Sequence, residues 1–346
     1  MRIDLLSLLA CPVCGADLKF SSLENFPRHD EPVERGTLAC VSCRKEFPVT
    51  DGIPRLRPPE ELSARAEKTR RSFGWEWLRY PGSRPGDKDV FLEETRIPPD
   101  EFAGKLVLDA GCGMGRYASV ALGLGSEVVA VDMSESLLRV AEAARANHKL
   151  HPVEADLLHP PFKKGIFDLV YSQGVLHHTS DTHAAFKAVA ALVKPKGLLS
   201  VWLYGKAGRY ADFATNPIRA GREGLALHRR LAWWVVLLRH FFSDFVRVFT
   251  TRLPVPVTYA LCYPLTLLGA VPGLKYLTFS VDPDFQARLI ENFDWVAPAF
   301  QWHHTKEELS GWFKEEGFTV LEILPHGLVP KPGALGRKLR AGRFPS

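Results

Sequence analysis

The stretch Val107-Leu108-Asp109-Ala110-Gly111-Cys112-Gly113-Met114-Gly115 is the most informative part of the sequence. A short apolar run ends in three glycines at alternate positions, and a helical pattern begins at about Arg116. Glycines are needed where the backbone turns sharply and another group lies against it with no room for a Cβ. The stretch therefore predicts a buried strand, a tight turn that holds a ligand, and a helix.

Apolar runs and helical patterns alternate on both sides of this turn. The predicted strands are KLVLDA, EVVAVD, HPVEAD, FDLVYS and GLLSVWLY, and the predicted helices between them are RYASVALGLG, SLLRVAEAARAN and THAAFKAVAALV. The rhythm stops at about residue 205 and resumes with a helix, TKEELSGWFKEE, and a strand, FTVLEIL. Strands that alternate with helices favour an α/β fold with a mostly parallel sheet covered on both faces.

Acidic side chains stand where three predicted strands end. Asp109 precedes the glycine turn, Asp132 ends the second strand and Asp156 ends the third. A carboxylate at the second position accepts hydrogen bonds from both hydroxyls of a ribose, and an acceptor at the third can bind an adenine amino group. Any one of these acids alone could simply cap the following helix. Together with the glycines, they predict a nucleoside cofactor.

The glycine spacing argues against a dinucleotide. The third glycine comes one residue early for the G-x-G-x-x-G turn, and Arg116 stands in its place. Asp109 would also repel a pyrophosphate, whereas it suits the cationic end of S-adenosylmethionine (SAM). These two details favour SAM as the cofactor.

The chain resembles the class I SAM-dependent methyltransferases of the type 11 subgroup over residues 104–204 and, more weakly, 303–330. The segments VLDAGCGMGRYA, VVAVDMS, EADLLHPPF, FDLVYSQGVLHHT and LVKPKGLLSVWLY match family motifs in the right order. The resemblance implies a Rossmann-like, mostly parallel sheet of seven strands with an antiparallel last strand. The cofactor contacts that follow from it are Gly111, Gly113 and Gly115 at the methionine part, Asp132 at the ribose and Asp156 at the adenine, with Asp109 and Gln173 beside them.

Two C-x-x-C pairs near the N-terminus predict a zinc site formed by Cys11, Cys14, Cys40 and Cys43. Four thiolates suit tetrahedral zinc, and the metal replaces the core that about 50 residues cannot build. Residues 3–57 also resemble the small zinc-ribbon proteins that activate methyltransferases as separate subunits. That resemblance implies a structural role for the ribbon, although an arm that holds RNA stays an alternative.

Composition divides the chain into four predicted regions. Residues 1–57 are the zinc ribbon, and residues 58–100 are a helical linker or lid in which Trp75, Trp77 and Tyr80 could close over the cofactor. The methyltransferase core takes residues 101–204 and 301–335. Residues 205–300 are a helical insertion, interpreted as a cap that binds the methyl acceptor.

Methyl transfer depends mainly on alignment and exclusion of water, and a base is needed only if the acceptor must lose a proton. His177 and Tyr204, near the ends of the fourth and fifth predicted strands, are the candidate catalytic residues; His178 is interpreted as a structural neighbour. The fourth strand lacks the Asn/Asp-Pro-Pro-Tyr motif, which weighs against methylation of adenine or glutamine amide nitrogens.

The insertion carries the basic character of the chain. The net charge is +5, and residues 205–252 alone hold nine Lys or Arg against three acids. Residues 253–271 lack charge but contain three prolines, which argues against a membrane span. We expect a helical cap on the sheet edge; the alternative is a pocket for an apolar acceptor with an anionic group, its arginines meeting a phosphate or a membrane surface.

Three functions remain open. The first is a methyltransferase for a small or lipid-like acceptor, the second an RNA methyltransferase, and the third a catalytically silent SAM-binding partner. The acids Glu24, Asp30, Glu31 and Glu34 in the long ribbon loop disfavour RNA. The N-terminus does not read as a signal peptide and the cysteine pairs suit a reducing compartment, so the expected location is cytoplasmic, with peripheral membrane contact as an option.

Overall fold

A seven-stranded sheet is the central element of the structure, which is a computed structural model. It describes residues 1–23, 32–60, 62–80, 82, 84–206, 241–271, 274, 278–280, 282–324 and 331–340. The strands are β1 Leu18–Leu23, β2 Gly36–Cys40, β3 Glu46–Thr50, β4 Ile53–Pro54, β5 Leu106–Ala110, β6 Glu127–Asp132, β7 Leu150–Glu154, β8 Phe167–Gln173, β9 Val193–Trp202, β10 Phe318–Ile323 and β11 Gly333–Lys338. The named α-helices are α1 Ala64–Arg79, α2 Asp87–Thr95, α3 Arg116–Gly123, α4 Leu137–Ala146, α5 Thr182–Ala190, α6 Val255–Leu268, α7 Phe285–Val296 and α8 Lys306–Glu315.

The strand order of the central sheet is β10-β11-β9-β8-β5-β6-β7. Strands β5 to β9 pair in parallel, whereas β11 is antiparallel to both β9 and β10. The predicted mostly parallel sheet of seven strands with an antiparallel last strand is therefore confirmed. Strand β11 continues to Lys338, three residues past the predicted end of the core at 335.

Both faces of the central strands are buried. Along β5, Val107 packs with the apolar side chains of α3 and α4, and Leu108 packs on the opposite face with those of α5 and α8. This alternation is the period of two expected of a strand, and apolar residues lie on both faces of β5 because helices cover both faces.

The N-terminal segment forms its own antiparallel sheet, in the order β1-β2-β3-β4, and docks on the edge of the central sheet. The amide of Ala10 donates to the carbonyl of Pro161 at 2.8 Å, and Leu9 forms an isolated bridge with Phe162. At the other end, the amide of Leu56 donates to the carbonyl of Glu154 at 2.8 Å. The ribbon therefore covers edge strand β7 and the loop that follows it.

The described part of the insertion is helical. Residues 241–250, α6 and α7 enclose a third apolar cluster, and α1 packs against α6 and α7. Residues 207–240, which carry most of the basic excess, lie outside the described residues, as do residues 24–31 of the ribbon loop. Among the described helices, none is long and apolar enough to cross a membrane.

Candidate active site and metal centre

A cavity of about 580 Å³ opens at the carboxyl ends of the parallel strands. Its floor is formed by the ends of β5, β6, β8 and β9, and its walls come from α1, α7 and the segment that leads into α2. Ligands of open parallel sheets bind at this edge because the loops there diverge and leave a crevice. The volume is within the range of sites for small molecules and cofactors.

The glycine turn lies at the N-terminus of α3. Gly111 and Gly113 line the cavity with φ values of 91° and 54°, in the left-handed region that favours glycine. A Cβ on Gly111 would lie 2.3 Å from Cγ1 of Val175, which the space does not allow. Gly115 caps α3 and does not line the cavity; a Cβ there would lie 3.0 Å from Cγ2 of Val140, so it serves the packing of α3 on α4.

Asp132 lies in the cavity at the end of β6. Its Oδ2 accepts from the amide of Gly113 at 2.9 Å, and its Oδ1 accepts from the amide of Ser134 at 2.8 Å. These two bonds fix the carboxylate, and each oxygen keeps a second lone pair for a ligand.

Asp156 and Gln173 are held in a similar way. Oδ1 of Asp156 accepts from the amide of Leu158 at 2.9 Å, and Nε2 of Gln173 donates to Oγ of Ser200 at 2.9 Å. Oε1 of Gln173 is buried in the cavity wall with no hydrogen-bond partner among the described residues. Both side chains therefore present an acceptor to a ligand.

Asp109 is the most buried acid of the predicted set, with 4% of its surface exposed. Its Oδ2 has no hydrogen-bond partner in the described part of the chain. Burial raises the pKa of Asp109 to about 8, and the carboxylate of Asp132 acts in the same direction. A cationic ligand group beside Asp109 would reverse that shift, because it stabilises the ionised carboxyl.

Tyr204 lines the far end of the cavity. Its hydroxyl donates to Oδ2 of Asp294 at 2.5 Å, and its ring stacks on Trp295 at 5.5 Å. Tyr204, which follows β9, therefore contacts α7 and forms part of the cavity wall.

The two adjacent histidines differ from the sequence-based interpretation. His177 is fully buried and does not line the cavity; its ring stacks on Tyr204 at 4.0 Å, and burial lowers its pKa well below the usual value. His178 does line the cavity, and its Nδ1 donates to the carbonyl of Phe300 at 2.8 Å. Because that bond requires a hydrogen on Nδ1, neutral His178 has an unprotonated Nε2, which has no hydrogen-bond partner among the described residues.

The aromatic residues of the predicted lid separate into two groups. Trp77 and Tyr80 line the cavity, whereas Trp75 packs against Tyr259 in the helical cluster and lies under the guanidinium of Arg79 at 3.4 Å. Closure of α1 over a ligand stays a prediction.

The four ribbon cysteines converge on one point, with all four Sγ atoms within 4.8 Å of one another. The sulfurs of Cys11 and Cys43 are 3.7 Å apart, and those of Cys14 and Cys40 are 3.4 Å apart. A tetrahedral zinc ion with bonds of about 2.3 Å needs sulfur pairs about 3.8 Å apart. The donor set and its geometry fit zinc.

Residues 108–201, which run from β5 to β9, match a family described as a methyltransferase domain. The chain carries a methyltransferase domain. Residues 2–52 match the family of Trm112p-like proteins. The two matches confirm the predicted combination of a methyltransferase domain of the SAM-dependent type with an N-terminal zinc ribbon.

Relatives of the methyltransferase domain carry different names. An uncharacterised methyltransferase of Mycobacterium tuberculosis is 37% identical over 115 residues, which cover 33% of this chain and 54% of that protein. A ubiquinone biosynthesis O-methyltransferase of Xanthomonas euvesicatoria is 34% identical over 105 residues, which cover 29% of this chain and 43% of that protein. The chain spans about half the length of the curated relatives it matches.

Solved structures match over more of the chain. An S-adenosylmethionine dependent methyltransferase from Mesorhizobium loti matches 72% of this chain and 95% of its own, with 19% identity and a TM-score of 0.41.

The cavity of the methyltransferase domain fits the cofactor that the domain implies. The unpartnered Oδ2 of Asp109 suits a cationic group, Asp132 offers acceptors for hydroxyls, and Asp156 offers one for an amino group. The left-handed turn at Gly111 and Gly113 exposes backbone where a ligand can approach closely. When bound, SAM supplies a methyl group on a sulfonium.

Among the carboxyl groups of the cavity that were not predicted from the sequence, Glu76 on α1 and the pair Glu291 and Asp294 on α7 lie close to one another. Burial raises the pKa of Glu76 well above its usual value, and the nearby Asp294 and Glu291 add to that shift. Glu76 stands between two tryptophans, and an acid in an aromatic run was a signal that could have found it. The pair on α7 has no such signal, because only the packing of α7 against α1 brings it to the cavity.

Proposed function

We propose that the chain is a SAM-dependent methyltransferase that acts on a small-molecule acceptor. The observation that carries this proposal is the cavity itself. One cavity joins the cofactor-type acceptors at the ends of β5, β6 and β8 to a second lobe around Tyr204. A cofactor and a small acceptor can therefore lie side by side in it, in the alignment that methyl transfer requires.

The proposed cofactor contacts follow the chemistry of each side chain. Asp132 binds the ribose hydroxyls, Asp156 the adenine amino group, and Asp109 the cationic end of the methionine part. Gly111 and Gly113 let the backbone approach that part. Gly115 supports this turn from behind through its packing on α4.

The acceptor lobe supports a small molecule over RNA. Aromatic rings and buried side chains surround it, with Phe73, Trp202 and Tyr204 in its wall. A polynucleotide acceptor would instead call for an open basic surface with stacking aromatics around the cavity mouth. Within the described ranges, three arginines line the cavity, and each is paired with a carboxylate: Arg70 with Glu67, Arg84 with Asp284 and Arg116 with Asp87.

We assign the ribbon a supporting role. It docks on β7 and on the loop after it, and that loop carries Asp156. In this arrangement the metal holds the ribbon together, and the ribbon holds one of the cofactor contacts in place.

Tritiated SAM tests the proposed function. The protein is incubated with a native cell extract, which is then separated into small-molecule, lipid, RNA and protein fractions. We expect the label in the small-molecule or lipid fraction, and its loss with Asp132→Ala. Label in RNA alone would favour the second hypothesis, and failure of the wild-type protein to bind S-adenosylhomocysteine (SAH) would remove the proposed function.

A further inference from the structure

The acceptor lobe of the cavity is acidic. Glu76 comes from α1, Glu291 and Asp294 come from α7, and all three carboxyl groups line the same space. The arginines of the lining are paired with other carboxylates, so they do not neutralise these three. Nζ of Lys331 lies over the ring of Trp202 and acts on Glu291. Among the described residues, no Lys or Arg forms an ion pair with Glu76 or Asp294, so these two carboxyl groups face the lobe without a cationic partner.

Polar atoms of this lobe lack partners. Glu76 has 3% of its surface exposed, and no hydrogen bond from the described residues reaches its carboxyl group. His178 has 7% exposed, and its Nε2 is unpartnered. Oδ1 of Asp294 is also buried without a hydrogen bond and lies 4.0 Å from that nitrogen. Buried polar groups are ordinarily satisfied, so the two unpartnered atoms of His178 and Asp294 point to a ligand that satisfies them.

Aromatic rings complete the lobe. Phe73 packs edge-on against His178 with ring centres 4.9 Å apart, and Trp202 stacks near Tyr204 at 6.1 Å. All of these residues line the cavity, and Nζ of Lys331 lies over the ring of Trp202, 4.4 Å from its centre. Aromatic faces attract cations through the quadrupole of the ring, and the attraction grows when water is excluded.

We propose that the methyl acceptor is an amine, bound as a cation between the carboxyl groups of Glu76 and Asp294 and the aromatic faces of the lobe. This proposal rests on the proposed methyltransferase function and names its substrate class. It replaces the expectation of an anionic group on the acceptor, because an anion would be placed beside carboxyl groups.

The chemistry balances with one proton released. The ammonium group of the acceptor gives a proton to Nε2 of His178, which the bond to Phe300 keeps available. The nitrogen lone pair then forms the new bond to the methyl carbon, and the electron pair of the broken carbon–sulfur bond stays on sulfur. The products are a methylated ammonium, SAH and the proton on His178, which passes to water when the products leave.

Three molecules of one shape test the proposal by binding. Choline, 3,3-dimethylbutan-1-ol and 3,3-dimethylbutanoate share a tert-butyl-like head and differ in charge. Each is titrated into the SAH-loaded protein, with calorimetry or tryptophan fluorescence as the readout. We expect choline to bind about tenfold or more tightly than the uncharged alcohol, and the anion to bind weakest.

Two variants assign that preference to residues. Glu76→Gln and Asp294→Asn should each remove most of the preference for choline and leave SAH affinity unchanged. Glu142→Gln removes the same charge from the exposed face of α4 and should change nothing. Melting curves establish that each variant is folded.

The outcomes separate the two proposals. A wild-type protein that does not bind SAH removes the proposed function before any probe is added. A protein that binds SAH but prefers the alcohol or the anion leaves that function standing and overturns the amine. Persistence of the choline preference in both variants, or loss of SAH binding with either one, would also overturn the assignment of these carboxyl groups.

Discussion

The guanidinium of Arg57 donates from Nε to Oε1 of Glu154 at 2.6 Å, and Arg55 pairs with the other oxygen of the same carboxylate. Arg55 and Arg57 follow the last ribbon strand, whereas Glu154 ends β7 of the methyltransferase sheet. Asp156 lies two residues further along. The ribbon is thus ion-paired to the strand end that presents a proposed cofactor contact.

Removal of the metal should therefore weaken cofactor binding as well as the ribbon. Cys11→Ser/Cys40→Ser should reduce bound zinc from one ion per chain to none, because two thiolates cannot complete the tetrahedral site. We expect SAH affinity to fall by about 1 kcal/mol, the net value of one hydrogen bond that is no longer held in place. Elemental analysis and calorimetric titration measure the two effects.

Cys262→Ala is the matched control, because this buried thiol lies in α6, away from the ribbon. It should keep the metal and the affinity. Full zinc content in the double serine variant, or unchanged SAH affinity after zinc is lost, would contradict the prediction.

Asp132→Ala tests the ribose contact. We expect SAH affinity to fall by about 1.5–3 kcal/mol, the scale of hydrogen bonds to a charged group. Calorimetry measures the change, and Asp100→Ala, an exposed acid outside the cavity, is the control. Wild-type affinity in a folded Asp132→Ala protein would remove Asp132 from the site.

The central sheet and the cofactor-binding end of the cavity could be predicted from the sequence, because short local motifs specify both. Glycines at 111 and 113 and acids at the ends of strands mark positions that sheet topology must bring together. Likewise, the metal site could be predicted from the two C-x-x-C pairs, since the spacing within each pair lets both of its sulfurs bind one metal ion.

The acceptor end could not be predicted, because it is made by tertiary packing. Glu76 and Asp294 are more than 200 residues apart in the chain, and nothing in either helix alone shows that α1 and α7 face each other. The histidines illustrate the same limit: they are adjacent in the turn after β8, yet only His178 lines the cavity, and its bond to the carbonyl of Phe300 comes from tertiary packing.

The pKa of Asp109, raised to about 8, predicts how cofactor binding depends on pH. Below that value the free protein holds a proton on Asp109, and a cationic ligand must displace it, so SAM affinity should rise from pH 6 to about 8.5. Asp109→Asn should bind more weakly and lose most of this slope. Calorimetry across the range measures it, and equal slopes in both proteins would contradict the prediction.

The same shift makes a prediction for stability in the absence of ligand. The folded state keeps its proton on Asp109 to higher pH than the unfolded chain, whose carboxyl has the ordinary value of 3.8. The stability contributed by this group is therefore fully present below pH 3.8 and is lost as pH rises towards 8. Urea unfolding at pH 5 and pH 8.5 should show a smaller decline for Asp109→Asn than for wild type.

Two glycine substitutions should have opposite effects on stability. Gly111→Ala puts a Cβ at a φ of 91°, against Val175, and should lower the free energy of unfolding by about 1–3 kcal/mol. Gly311→Ala lies within α8, where a Cβ meets nothing within 4 Å, and should raise it by about 0.5–1 kcal/mol. Urea unfolding measures both, and a stabilised Gly111→Ala protein would show that the turn is not held as described.

The adjacent histidines provide the most direct test of the acceptor end. An asparagine at either position can keep the hydrogen bond that Nδ1 makes. Nδ1 of His178 donates to the carbonyl of Phe300, and Nδ1 of His177 accepts from the amide of Tyr204. His178→Asn removes the unpartnered Nε2 from the cavity, so methyl transfer to an ammonium acceptor should slow by about 10²–10⁴-fold, the usual contribution of a general base, with SAH affinity retained. His177→Asn removes a ring that stacks on Tyr204 outside the cavity lining, so it should lower the free energy of unfolding by about 2 kcal/mol and change the rate far less. Rates of label transfer from tritiated SAM and urea unfolding separate the two effects, and a greater loss of rate in His177→Asn than in His178→Asn would reverse the assignment.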